Sequence, residues 1–313
     1  MSTRTKANLL LVLTALIWGV AFVAQDVAMD SLPPFTFNGA RKLLAGLALL
    51  PVVHFFGRQT RKNGLEHPET GEGMKISEMS KKQRNTLLLG GIFCGVCLAV
   101  GSAFQQVGIA MDSGVGKAGF ISSLYIVMVP LIGLLLRKKV TPQVWIAVVI
   151  CALGLYLLCM KAGFVVAIGD LLLILGALGF AFHILTIDYY SKKTDCLKMS
   201  CIQFFVASFI HFSIAIFTEQ PTWQGFVACI IPIAYAGLLS SAVGYTLQII
   251  AQKNTDPTIA SLILCLESVF AALAGWVFLN EIMSVKEYIG CILMLGGIVL
   301  AQLPSRKQTL GYL

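Results

Sequence analysis

Charge is what this chain has least of. Only 12% of its residues are Asp, Glu, Lys or Arg, about half the roughly 25% usual in soluble domains. That scarcity excludes a soluble globular fold. Catalytic signatures are missing too: there is no H-E-x-x-H and no G-x-S-x-G, and no G-x-x-x-x-G-K-[ST], which excludes ATP-driven work on this chain. No pore-loop filter of the channel type is visible. Nine cysteines are scattered without paired spacing, which argues against a disulfide framework. Cys94 and Cys97 form a C-x-x-C, but inside an apolar run, where small buried hydrophobes are the simpler reading. Neither a metal nor a cofactor is expected.

What is present is apolar length. Hydrophobic residues make up 57% of the chain, and mean hydropathy is +0.84. A membrane span needs about 20 mostly apolar residues. Ten segments qualify, near 8–28, 35–56, 86–110, 114–136, 143–160, 165–187, 199–217, 226–250, 258–279 and 285–303. They are too long and too continuously apolar for the roughly 10-residue alternating strands of a barrel. The basic, apolar N-terminus resembles a signal peptide, but its apolar run is long, and it reads as an uncleaved first span. With the N-terminus inside, eighteen of the 23 Lys and Arg fall on the cytoplasmic side. The positive-inside rule then places both termini in the cytoplasm, and the expected location is a plasma membrane. The net charge of +8 is thereby explained without a nucleic-acid partner. Residues 58–84, polar and rich in both charge signs, read as a cytoplasmic loop, partly disordered.

The chain also matches itself. At an offset of 143, Gln105, Thr141, Trp145, Gly154 and Leu157 meet Gln248, Ser284, Tyr288, Gly297 and Leu300 without a gap. At an offset of 162, Leu13, Ala15, Trp18 and Asp26 meet Leu175, Ala177, Phe180 and Asp188. Five spans repeated in tandem must sit upside down the second time, the design of alternating-access carriers with a midplane site. The expected fold is therefore an all-α membrane protein of ten transmembrane helices in two inverted five-helix repeats. The repeats fall at 1–160 and 161–303, before a cytoplasmic tail, 304–313.

Several motifs sharpen this. Glu267 stands ahead of a helix of Phe and small residues, "LNE" ends at Glu281, and Gly290, Gly296 and Gly297 mark the last span. "LTALIWGVAF" occupies 13–22, and Arg41 lies in the second span. Together they resemble the EamA-type carriers of the drug/metabolite transporter superfamily, over nearly the whole chain outside 58–84. Two positions depart from that pattern: Ser268 replaces a usual proline, and Arg137-Lys138-Lys139 stand where the second repeat has Asn280-Glu281-Ile282. The resemblance implies ten helices around a cavity lined by spans 1–4 and 6–9, with spans 5 and 10 peripheral. It is silent on substrate.

Ionisable groups inside spans are candidates for function. Asp26, Arg41 and Lys117 are expected at similar depth in the outer part of spans 1, 2 and 4, either as an anion-binding cluster or as an extracellular gate. Lys42, about 100° round the helix from Arg41, is expected to snorkel toward the outer interface. Glu267, near the middle of span 9, reads either as a proton-titrating or substrate-binding carboxylate or as a structural acid bonded to a hydroxyl. Trp18, Phe22 and Gln25 share one face of span 1. Gln25, Gln105 and Gln248 carry amides that need partners in lipid. Tyr125 and His183 complete the candidate set. His183 with Asp188 has an acyltransferase-like spacing, but on a helix the two point about 140° apart. The expected function is secondary transport of a small metabolite (an amino acid, a related metabolite or a drug-like solute) by alternating access, in the export direction, with proton coupling and oligomeric state open. The alternative is an integral membrane enzyme acting on a lipid-linked substrate. The partners are a small-molecule substrate and the lipid bilayer.

Overall fold

Long apolar runs leave the backbone nothing to bond but itself, so helices are the outcome. The computed structural model describes residues 2–111, 115–159, 167–279 and 283–303, without the side chains at 115–117, 159, 275 and 277–279. Among them there is no strand, only an isolated bridge between His67 and Glu72. Among the described residues nine helical stretches are long and apolar enough to cross a membrane, and a tenth, Pro142–Leu158, is a shorter apolar helix. The chain is an all-α, multi-pass membrane protein.

The long helices are α1 (Thr3–Met29), α2 (Pro34–Lys62) and α3 (Lys81–Ala110). The fourth span is broken into α4 (Val115–Ser122) and α5 (Tyr125–Leu135). Then follow α6 (Pro142–Cys159), α7 (Ile168–Tyr190) and α8 (Cys196–Thr218). The eighth span runs through α9 (Trp223–Ala228), α10 (Ile230–Ala234), a π-helical stretch Tyr235–Tyr245 and α11 (Thr246–Gln252). The ninth is α12 (Pro257–Leu264) with α13 (Leu266–Leu279), and the last is α14 (Val285–Gln302).

The irregular places have local causes. Span 4 breaks at Ser123 and Leu124, just past Ser122, and Pro130 weakens the turn beyond them by removing a donor. Span 9 breaks at Cys265, which the offset of 143 pairs with Ser122. In span 8, Pro232 cannot bond back to the turn at Ala228, where α9 ends. The wide π turns that follow leave carbonyls to outside donors: Trp18 Nε1 donates to Ser240 O at 3.0 Å and Thr14 Oγ1 to Gly244 O at 3.3 Å. Tyr235 OH returns a bond to Ile17 O at 3.0 Å.

Helices α6 and α14 meet at bare backbone. A Cβ on Gly154 would lie 2.7 Å from Gly290 O, and one on Gly297 would lie 3.0 Å from Ala147 O. The same offset exchanges these contacts: Gly154 maps to Gly297, and Ala147 to Gly290.

The face that carries the start of α1 and the end of α14, tied by Asn8 to Gln302 at 3.0 Å, is rich in paired charge. Asp188 takes Lys138 on one side and Lys192 at 2.7 Å on the other. Lys198 pairs with Asp195. Residues 58–84 differ from expectation. Residues 58–62 continue α2, Ile76–Glu78 form a 3₁₀ turn, and Met79 is buried against Leu87, Cys94 and Met199. The segment is anchored because its ends are helical and its middle is pinned. Gly73 N donates to Asp195 Oδ2 at 3.3 Å, and Lys253 Nζ to Glu72 at 2.8 Å. Burial works against the Lys253 charge, but the Glu72 hydrogen bond and charge outweigh it and hold Lys253 above the ordinary lysine range. On the opposite face Glu219, at the end of α8, caps α2 by accepting from Phe35 N at 2.8 Å and from Thr36 N at 2.7 Å.

Candidate functional site

The centre of the bundle holds a small cavity, about 40 Å³ of room for water-sized molecules. One wall is the α1 face: Trp18, Ala21, Phe22 and Gln25, at spacings of three to four residues. Arg41 comes from α2, Gln105 from α3, and Phe180, His183 and Ile184 from α7. Ser240, Tyr245, Gln248 and Glu267 close it from spans 8 and 9.

Eight expected residues therefore meet here: Trp18, Phe22, Gln25, Arg41, Gln105, His183, Gln248 and Glu267. Tyr125 stands behind one of them. Its hydroxyl donates to Glu267 Oε1 at 2.8 Å, and Ser123 Oγ donates to the same oxygen at 3.2 Å. Both donors come from the break in span 4, and Glu267 lies just past the break in span 9. Interrupted helices thus deliver the only cavity carboxylate among the described residues and its two hydroxyl partners. Ser268, the residue in place of the usual proline, contacts Ser123 Oγ at 3.0 Å.

Arg41 is 3% exposed and donates from Nη1 to Gln25 Oε1 at 2.9 Å. Its guanidinium lies 5.4 Å from the Phe37 ring centroid. Among the described residues its Nε has no hydrogen-bond partner, and it joins no ion pair. No ion pair among the described residues joins Asp26 to Arg41. Gln25 occupies that position, while Asp26, one residue on and rotated by about 100°, is exposed. The Lys117 side chain lies outside the described residues, as does Glu281.

Lys42 corrects its expectation outright. It does not snorkel but is 0% exposed. Its ammonium lies 4.5 Å from the Tyr245 ring centroid and 5.8 Å from that of Phe204. The helix turns Lys42 inward toward span 8 and α8 because Arg41, Lys42 and Ala45 all fall on the packed side of α2. Tyr245 is the hub of this wall: Trp18 lies 4.5 Å away and His183 5.6 Å away, centroid to centroid. His183 Nε2 is 3.0 Å from Gln203 Oε1, while Asp188 sits with its lysines at the charged face.

Sequence reasoning missed Tyr245, Ser240, Phe180, Ile184 and Lys42. Two had readable signals. Phe180 is the offset partner of Trp18, and Tyr245 precedes Gln248 by three residues, one helix face.

The EamA-like transporter family profile matches residues 5–160 and again 167–303. The chain belongs to the EamA-like transporter family. An Archaeoglobus fulgidus protein described as an uncharacterized transporter is 30% identical over 301 residues, 96% of this chain and 87% of that one. The Bacillus subtilis uncharacterized transporter YwfM is 24% identical over 311 residues, covering 96% and 95%. A solved crystal structure shares the fold with TM-score 0.72 at 16% identity, over 97% of this chain and 99% of the other. Family membership fits a bundle whose polar residues converge on an internal cavity.

Proposed function

We propose that this membrane transporter is a secondary carrier that moves a small metabolite, such as an amino acid, a related metabolite or a drug-like solute, by alternating access. The observation that carries the reading is the central cavity. Six spans contribute polar or charged side chains to it, in a protein whose exterior is lipid-facing Leu, Ile and Phe. Buried polar groups cost free energy unless satisfied, so a cavity with unbonded polar atoms suits a solute that comes and goes.

Two further features support an inverted pair of repeats, 1–160 and 161–303. The breaks in spans 4 and 9 fall within two residues of one another under the offset of 143, and the backbone contacts of α6 with α14 exchange under it. Such repeats rock about a shared midplane site. The π stretch, Pro130 and Pro232 are the natural flexing points. Glu267 is the candidate proton carrier. Asp26 and Lys117 are assigned to the outer approach, where they form a gate. The charged face is cytoplasmic, with both termini there in the plasma membrane, and export is the proposed direction.

The alternative, an enzyme on a lipid-linked substrate, lacks a nucleophile or metal motif in the sequence. Purified protein in liposomes, screened with labelled amino acids and organic anions with and without a pH gradient, tests the reading. Saturable flux that responds to the gradient is expected. No flux for any solute, together with a hydrolase or transferase activity, would overturn it.

A further inference from the structure

The buried charges of this site do not balance. Arg41 and Lys42 are adjacent, nearly or wholly inaccessible, and neither joins a carboxylate among the described residues. A guanidinium offers five donors; Arg41 bonds Gln25 through Nη1 and leaves Nε unpartnered. Among the described residues the Lys42 ammonium has no hydrogen-bond partner either, and it rests against aromatic rings. The carboxylate that shares the cavity, Glu267, is held by Tyr125 and Ser123 instead. Elsewhere the protein pairs its part-buried lysines with acids, as Asp195 and Asp188 show. A buried cation left without its counter-charge is costly, and two side by side repel each other as well.

Resting on the carrier reading above, we propose that the solute is an organic anion with a flat aromatic body. Its carboxylate-type group sits on the open edge of Arg41. Planar guanidinium donors match a carboxylate two at a time. Lys42, which does not line the cavity but whose ammonium lies 4.5 Å from the centroid of the Tyr245 ring that does, supplies the second positive charge. Trp18, Phe22, Phe180 and Tyr245 offer the aromatic surface that a flat body packs against. Lys42 therefore acts on the solute through Tyr245 and through charge, a positioning role with no direct contact.

Three probes with one body and different charge test this: phenylacetate, phenylacetamide and phenylethylamine. A ligand that binds only the folded protein raises its unfolding temperature. Phenylacetate is expected to stabilise the purified protein saturably, and the amide and amine are not. Arg41→Lys and Arg41→Gln should each weaken phenylacetate binding about tenfold or more, the loss of a charged hydrogen bond. Lys42→Met should raise the unfolding temperature of the unliganded protein, because an uncompensated charge is gone, yet weaken phenylacetate binding. A merely structural lysine would not give that opposite pair of effects. Stabilisation by the amine or amide equal to that by phenylacetate, no stabilisation by phenylacetate, or unchanged binding in Lys42→Met would each overturn the anion site. Flux in liposomes separates the two readings. Phenylacetate bound, with no flux of any solute and a hydrolase or transferase activity found, would overturn the carrier and leave the anion site standing. Saturable flux of amines alone would keep the carrier and overturn the anion site.

Discussion

The charged face and the central cavity treat charge in opposite ways. At the charged face, Asp188 joins Lys138 to Lys192, Asp195 holds Lys198, and Glu72 holds Lys253. At the cavity and just behind it, among the described residues, Arg41 reaches an amide and a ring, Lys42 rings, and Glu267 hydroxyls. Pairing within the chain makes a charge structural and nearly neutral in effect. An unpaired charge held in low dielectric keeps its field for a visitor. The difference separates the groups that hold the halves together from those that meet the solute.

Breaking each side of the comparison should therefore have different consequences. The largest effect is expected in the cavity: Glu267→Gln should lower saturable flux about tenfold or more, as neutralising a group whose charged hydrogen bonds are worth about 1.5–3 kcal/mol implies. Flux assays on liposomes with matched protein content check it. Next comes a site away from all charge. Gly154→Leu drives a side chain into Gly290 O and should cost about 1–3 kcal/mol or more of stability while leaving solute affinity unchanged, read by thermal unfolding with and without solute. Smallest is the charged face. Lys253→Ala removes a part-exposed pair worth about 1 kcal/mol or less. It should leave flux near wild type but speed proteolysis at residues 63–75, whose tie to span 8 is lost. A large flux defect in Lys253→Ala would erase the distinction.

The sequence made much of this legible because lipid imposes a simple code. Apolar runs such as 86–110 and 285–303 become helices with little choice, and amides or charges inside them, Gln25, Arg41 and Glu267 among them, must turn inward. What it hid was rotation and register. Whether Asp26 or Gln25 faces Arg41 depends on 100° of helix phase. Lys42 seemed free to reach the interface, and only the packing of α2 against Phe204 and Tyr245 shows it enclosed. The polar composition of 58–84 suggested disorder, because the ties from Glu72 to Lys253 and from Gly73 to Asp195 cross more than a hundred residues of chain. The π stretch Tyr235–Tyr245 has no periodic signature, so its freed carbonyls and the role of Tyr245 emerge only in three dimensions.

The central claim is that one cavity is opened to each side in turn, and counterflow tests it most directly. Liposomes holding the protein are loaded with unlabelled solute, and a trace of labelled solute is added outside. A carrier that alternates makes the label accumulate transiently above its outside concentration, and Glu267→Gln should flatten that overshoot. Label that only relaxes to equilibrium, with no overshoot at any loading, would contradict alternating access and leave the cavity without the role assigned to it.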